Sequence, residues 1–102
     1  QDPSNPMLPT SITLEQNYPN PFNPYTKIKF KLEQSGPVRL SIFNVLGQEV
    51  RILVSNRKMD TGYYTELWNG KDNQGRYVPT GNYFYRIEQN GIIRNKKMVL
   101  LK

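Results

Sequence analysis

The only side chains of this chain suited to acid–base chemistry are carboxylates, because the sequence contains no histidine and no cysteine. A Ser–His–Asp or Cys–His nucleophile therefore lacks its general base, and zinc and copper lose their usual nitrogen and sulfur ligands. Two carboxylates could in principle hydrolyse a glycosidic bond. The candidates do not converge in their spacing, and 102 residues leave no room for a deep cleft beside a core. We predict a domain that is not an enzyme and binds no cofactor; the carboxylates considered are Glu15, Glu33, Glu49, Glu66 and Glu88.

A second candidate site is the polar stretch from Asp72 to Gln74 in front of Gly75. Its oxygen atoms could suggest a calcium loop, but calcium takes about six to eight oxygen ligands and this stretch holds a single carboxylate. An Asx-type turn, in which the aspartate side chain accepts backbone N–H groups, is the preferred interpretation.

Trp68 is the single tryptophan and could form a platform on which a sugar ring stacks. Nearby tyrosines make a carbohydrate-binding module conceivable. A tryptophan at the end of an alternating strand is more typical of the core of a sandwich domain. We therefore predict that Trp68 is buried; the tyrosines considered with it are Tyr63, Tyr64, Tyr77, Tyr83 and Tyr85.

The chain is basic, with a formal net charge of +6 from 14 Lys and Arg against 8 Asp and Glu. Nucleic-acid binding would use such a charge, but Lys27, Lys29 and Lys31 alternate with apolar residues as the outer face of one strand does. We predict a solvated basic surface and no nucleic-acid partner. The sequence has no apolar stretch of membrane-spanning length and no signal peptide, so we expect a piece of a longer protein that does not insert into a membrane.

The beginning of the chain differs in composition from the rest. Residues 1–11 contain three prolines and two serines with little periodicity. We interpret them as a linker or a remnant of expression, in front of one domain over residues 12–102. A first short strand is predicted at 12–16.

The next segment, residues 17–24, contains three prolines in eight residues. Proline fixes φ and removes a backbone donor, so this segment cannot be a helix or a central strand. We predict an ordered, extended crossover that is held to the domain by burial of Tyr18 and Phe22.

From residue 26 onward apolar and polar residues alternate, which is the period of a β-strand. Turn residues interrupt the alternation, among them Gly47, which supplies a positive φ. Asn90-Gly91 lies between two alternating runs and predicts a tight hairpin, because both turn positions need positive φ. The polar segment 55–61 is predicted to be a loop with room for one helical turn. The predicted strands are Thr26–Leu32, 38–45, 48–54, Gly62–Trp68, 82–88 and 92–101.

No segment shows a sustained helical period, so helix should be minor. Short strands with frequent turns predict an all-β fold, an immunoglobulin-like antiparallel β-sandwich of about seven strands. One core should collect the inward residues of separate strands. These are Ile28, Phe30, Leu40, Ile42, Val50, Trp68 and Tyr85.

Several stretches are more informative in their order and spacing than singly. They are NYPNPFNP at 17–24, VRLSIFN at 38–44, WNGKD at 68–72 with GNYFYR at 81–86, and KKMVLLK at 96–102. Together they resemble the type A C-terminal sorting domains of the type IX secretion system. The middle blocks are also similar to the immunoglobulin-like domain of flagellar hook-capping proteins.

This resemblance implies an address and not a reaction. Such domains end large exported proteins, and their partners are the protein secretion machinery of the outer membrane and the N-terminal cargo domains of the same polypeptide. The folded domain is recognised in the periplasm, and the cargo is then secreted or placed on the cell surface. In some members a cell-surface peptidase removes the domain.

The resemblance also implies a site, since the last strand is the expected handle for the machinery. Its residues are Lys96, Lys97, Met98, Val99, Leu100, Leu101 and Lys102. The alternative function is a carbohydrate-binding or structural immunoglobulin-like accessory module of a secreted enzyme.

One residue departs from the family pattern. Glu66 stands two residues before Trp68, where members of the family tend to have an aliphatic residue, and Leu67 lies beside it. The departure predicts either a bulge in this strand or an inward face that is locally polar.

Overall fold

The computed structural model describes residues 11–101, which form seven β-strands and no helix. No described helix could therefore cross a membrane. The predicted linker lies outside the described residues except for Ser11, and the division of the chain at residue 12 stays a prediction. The strands are β1 Ile12–Leu14, β2 Thr26–Leu32, β3 Gly36–Phe43, β4 Glu49–Met59, β5 Gly62–Trp68, β6 Gly81–Gln89 and β7 Ile92–Leu100.

The strands form two antiparallel sheets, one of three strands in the order β1-β2-β5 and one of four in the order β4-β3-β6-β7. Each sheet turns one face inward, as the alternating burial of β2 and β6 shows. In β2 the apolar residues are buried, while Lys27 and Lys29 are exposed and Lys31 is half-buried. The predicted immunoglobulin-like sandwich is confirmed.

The core is centred on Trp68, which is fully buried. Its ring lies 5.6 Å from that of Phe22 and 5.5 Å from that of Tyr83, and its Nε1 donates to the carbonyl of Lys71 at 2.9 Å. Trp68 is thus a packing residue and not a platform for a sugar. Six of the seven predicted core residues are buried, and Val50 is partly buried against the core.

β4 differs from the prediction, because it continues to Met59 where the sequence suggested a loop over 55–61. β4 lies at the edge of its sheet, so its second half can be polar and remain a strand. The pairing of β3 with β4 shifts register three times, and Asn56 has a φ of 52°. Because bulges change the phase of alternation, Leu53 packs against the core and Ile52, expected to point inward, is only half-buried.

Glu66 lies on the inward face of β5 without a bulge. The pairing of β2 with β5 is unbroken from Thr26↔Trp68 to Leu32↔Gly62, and Ile28 lies opposite Glu66. The Glu66 carboxylate reaches Arg57 of β4 at 3.5 Å, so the locally polar face is the correct one of the two predicted explanations.

The predicted turns are confirmed at two places. Asn90 and Gly91 have φ values of 52° and 83°, as a two-residue hairpin requires. The Asp72 carboxylate accepts the backbone N–H groups of Gln74 and Arg76 at 2.9 and 3.0 Å, which is an Asx-type turn. The bond from Arg76 is the main cause that lowers the pKa of Asp72. Within residues 11–101 no group of three or more potential ligands could hold a metal ion.

Candidate functional site

The predicted recognition strand is β7, which lies at one edge of the four-stranded sheet and pairs with β6 over its whole length. Met98 and Leu100 point into the core and are fully buried. Lys97 is exposed, and Lys96 is half-buried on the side of Met98, since adjacent strand residues face opposite ways. Leu101 is about half exposed, and Lys102 lies outside the described residues.

The proline-rich segment runs beside the second half of β7 and supplies it with a short parallel partner. The N–H of Phe22 donates to the Val99 carbonyl at 3.0 Å, and the N–H of Leu101 donates to the Phe22 carbonyl at 2.9 Å. The Val99 N–H donates to Oδ1 of Asn20 at 2.9 Å, and Nε2 of Gln16 donates to the Lys97 carbonyl at 2.7 Å. The outer edge of β7 is therefore hydrogen-bonded from Lys97 to Leu101.

Only one of the two aromatic residues expected to hold this segment is buried. Phe22 is 2% exposed and packs on Trp68, as predicted. Tyr18 is 78% exposed, so its predicted burial is wrong. Tyr18 bridges to Lys27, and directly paired residues of two strands project to the same side, which for Lys27 is solvent.

Asn17 takes the place expected for Tyr18 and is 2% exposed. Its backbone N–H donates to Oη of Tyr85 at 2.8 Å, and this hydroxyl donates to the carbonyl of Glu15 at 2.6 Å. Its Nδ2 donates to Oγ1 of Thr26 at 2.9 Å, and that hydroxyl donates to the Pro19 carbonyl at 2.8 Å. Buried polar groups need such partners, and together they fix the path of the segment.

The sequence analysis did not single out Asn17 or Asn20 as anchoring residues. A usable signal exists, because proline supplies no backbone donor and an ordered proline-rich segment must be held by its remaining N–H groups and by side chains. The asparagines next to Pro19 and Pro21 are the residues able to do this.

Burial also raises the pKa of Tyr85 to about 12, while the hydrogen bond from Asn17 acts in the opposite direction. The phenol is thus held in its protonated form, in which it can donate to the Glu15 carbonyl.

The carboxylates that could have formed a catalytic pair are spread over the surface in separate ion pairs. Their partners are cations of the same or a neighbouring strand; the pairs are Glu33–Lys31 at 3.3 Å, Glu49–Arg39 at 2.9 Å, Glu66–Arg57 at 3.5 Å and Glu88–Arg86 at 3.3 Å. None of these pairs includes Arg94, Lys96 or Lys97. No acidic residue occurs between Ile92 and Leu101, so β7 is the most basic strand edge of the described chain.

The family model that describes the secretion system C-terminal sorting domain matches residues 16–101. Among curated proteins no significant match is found. Among solved structures, the latent dimeric PorU from Porphyromonas gingivalis is similar, with a TM-score of 0.71 and 20% identity over 88% of this chain and 9% of that one. PorZ, a surface component of the type IX secretion system of the same organism, has a TM-score of 0.59 and 17% identity over 85% of this chain and 11% of that one.

The flagellar hook-capping protein FlgD from Xanthomonas campestris is also similar, with a TM-score of 0.58 and 19% identity over 86% of this chain and 64% of that one. At these identities the structures show the immunoglobulin-like fold alone. The chain spans only about a tenth of PorU and PorZ, at 9% and 11% of their lengths.

The family match covers the proline-rich segment, the middle blocks and most of β7, which are the stretches that carried the resemblance. It assigns the domain to sorting and not to catalysis, and it implies export to the cell surface or beyond. The alternative of an accessory module is not favoured. The chain belongs to the family of secretion system C-terminal sorting domains, and its function is that of a type IX sorting signal for cargo.

Proposed function

We propose that protein components of the outer-membrane secretion machinery recognise this domain in the periplasm as a folded unit, together with its N-terminal cargo, and that β7 is part of the recognised surface. The proposed contact residues are Lys96, Lys97, Met98, Val99, Leu100, Leu101 and Lys102. Met98 and Leu100 contribute through the fold, because both are fully buried.

The observation that supports this proposal is the position of a basic strand at a sheet edge. Lys97 is exposed there and Lys96 is half-buried, and neither belongs to an ion pair within residues 11–101. Cations that are not neutralised by the domain itself are available to a partner, and they increase the rate of association with an acidic surface.

Burial of Met98 and Leu100 links this surface to the folded state. Removal of residues 96–102 would take both side chains out of the core, so it should unfold the domain as well as remove the contact. Loss of export after this deletion is necessary for the proposal but does not separate recognition from folding.

The separating experiment fuses the domain to a fluorescent cargo in a host that has a type IX system. In the test variant Lys96, Lys97 and Lys102 become glutamine. In the matched control Lys27, Lys29 and Lys31 become glutamine, with the same change of charge on the outer face of β2. Each surface substitution should change the free energy of unfolding by about 0.5 kcal/mol or less. Melting curves check that both variants fold.

We expect the control to be exported and the test variant to stay in the periplasm. Equal export of both folded variants would remove the lysines of β7 from the recognised surface. Export of the cargo by the deletion variant would contradict the sorting role of the strand as a whole.

A further inference from the structure

The outer edge of β7 is divided into a covered half and an open half. From Lys97 to Leu101 it is occupied by the proline-rich segment, whose Phe22 bridges to Leu100 in parallel. The covered half shows which backbone groups point outward, because Val99 bonds outward through both its N–H and its carbonyl.

Backbone groups of an edge strand alternate between the neighbouring strand and the outside. Ile93, Asn95 and Lys97 therefore present their backbone to the same side as Val99. Within residues 11–101 no group bonds to the N–H of Ile93, Asn95 or Lys97 or to the carbonyl of Asn95. These groups follow one another over about 14 Å, at the usual rise of an antiparallel strand.

The other sheet edges offer less to a pairing strand. β4 shifts register three times against β3, has Asn56 at a φ of 52°, and bonds to Asn73 through Val50 and Ile52. β1 is only three residues long, and Glu66 reaches from β5 to the neighbouring β4. Irregular and short edges resist the addition of another strand. The open half of β7 pairs with β6 without any register shift.

The side chains of the open half indicate what kind of strand would fit. Arg94, Lys96 and Lys97 are cations without an acidic neighbour on the strand, so they favour an acidic segment. Ile93 is 46% exposed on the outer face and would pack against an apolar side chain of that segment.

We propose that the edge of β7 from Ile93 to Lys97 accepts an extended acidic segment of a partner protein as an added β-strand, next to the proline-rich segment that covers the rest of this edge. This inference rests on the proposed function and specifies how the machinery holds the strand. Backbone hydrogen bonds supply the affinity, and the cations together with Ile93 select the partner.

The test changes one outward N–H and leaves the ladder to β6 intact. In Asn95→Pro the outward donor is lost, and proline is tolerated on an edge strand when its nitrogen faces away from the neighbouring strand. In the matched Asn95→Ala control the side chain is lost but the N–H remains. Both are fused to the fluorescent cargo, and their melting curves are compared with that of the unchanged domain.

We expect Asn95→Ala to be exported normally and Asn95→Pro to be exported about tenfold less or worse. A folded Asn95→Pro domain that is exported normally would overturn strand addition, while the proposed function would stand. A cargo fused to the unchanged domain that is not exported would instead count against the proposed function.

If Asn95→Pro does not fold, the charge-reversed pair Arg94→Glu and Lys97→Glu tests the same surface with the backbone unchanged. It should reduce export about tenfold or more, whereas Lys27→Glu with Lys29→Glu should not. Normal export of the first pair would overturn the acidic partner and the inference with it.

Discussion

Asn17 and Tyr85 are 68 residues apart in sequence and are joined by a buried hydrogen bond of 2.8 Å from the backbone N–H of Asn17 to the phenol oxygen. The same hydroxyl donates to the carbonyl of Glu15 at 2.6 Å. One side chain of the four-stranded sheet thus fixes the point at which the chain leaves β1 and enters the proline-rich segment. The cover on β7 depends on this anchor, because Gln16, Asn20 and Phe22 follow it directly.

Tyr85→Phe should lower the free energy of unfolding by about 1–3 kcal/mol, because it leaves the buried N–H of Asn17 without an acceptor. Tyr63→Phe is the control, since Tyr63 is 78% exposed and should change stability by about 0.5 kcal/mol or less. Urea denaturation measures both. If the two variants were equally stable, the hydroxyl of Tyr85 would not be an anchor.

Stability should fall as the pH rises from about 10 to about 12. Burial raises the pKa of Tyr85 to about 12, from the ordinary value of 10.0. In this window the unfolded chain has lost the phenol proton and the folded domain still holds it, so increasing pH favours the unfolded state. The slope due to Tyr85 is at most about 1.4 kcal/mol per pH unit.

Urea denaturation at several pH values measures this slope. Tyr85→Phe should lose most of it and Tyr63→Phe should keep it. A smaller slope of the same sign should remain in Tyr85→Phe, because burial also raises the pKa of Tyr83. An identical pH dependence of Tyr85→Phe and the unchanged domain would contradict the prediction.

Phe22→Ala and Tyr18→Ala should differ greatly although both lie in the proline-rich segment. Phe22 is 2% exposed and its loss should cost about 3–5 kcal/mol, whereas Tyr18 is 78% exposed and should cost about 0.5 kcal/mol or less. Limited proteolysis gives a local measurement. Cleavage between residues 17 and 24 should be fast in Phe22→Ala and slow in the unchanged domain and in Tyr18→Ala, and rapid cleavage of the unchanged domain would show that the segment is not held.

Trp68→Ala should destabilise the domain by about 3–5 kcal/mol, because the indole ring fills the centre of the core between Phe22 and Tyr83. The neighbouring Leu67 is 52% exposed, and Leu67→Ala should cost much less. Thermal unfolding compares the two. A similar loss in both variants would mean that the inward and outward faces of β5 are assigned wrongly.

The fold class, most strands and the turns could be predicted from the sequence because their causes are local. Alternation in β2 follows from side chains that leave a strand on opposite faces, and Asn90-Gly91 forms a hairpin because both residues accept positive φ. The family resemblance rests on motifs that are equally local. Burial of Trp68 follows from its inward phase on an alternating strand.

Other features arise from contacts between residues far apart in the sequence. Nothing local distinguishes Tyr18 from Phe22, since a proline-rich segment has no period that assigns a face to each residue. The pairing of Tyr18 with Lys27 turns one aromatic ring to solvent, and the packing of Phe22 on Trp68 buries the other. Asn17 becomes an anchor because Tyr85 comes from the other sheet.

The sequence indicates a basic strand at 92–101 but not that its outer edge is half covered. That depends on the order of the strands, which puts β7 at an edge, and on the proline-rich segment, which bonds to it from Lys97 to Leu101. The bulges that extend β4 to Met59 likewise come from its pairing with β3. Strand order and register minimise the free energy of the whole sandwich, so they are set by packing between strands and not by the residues of one strand.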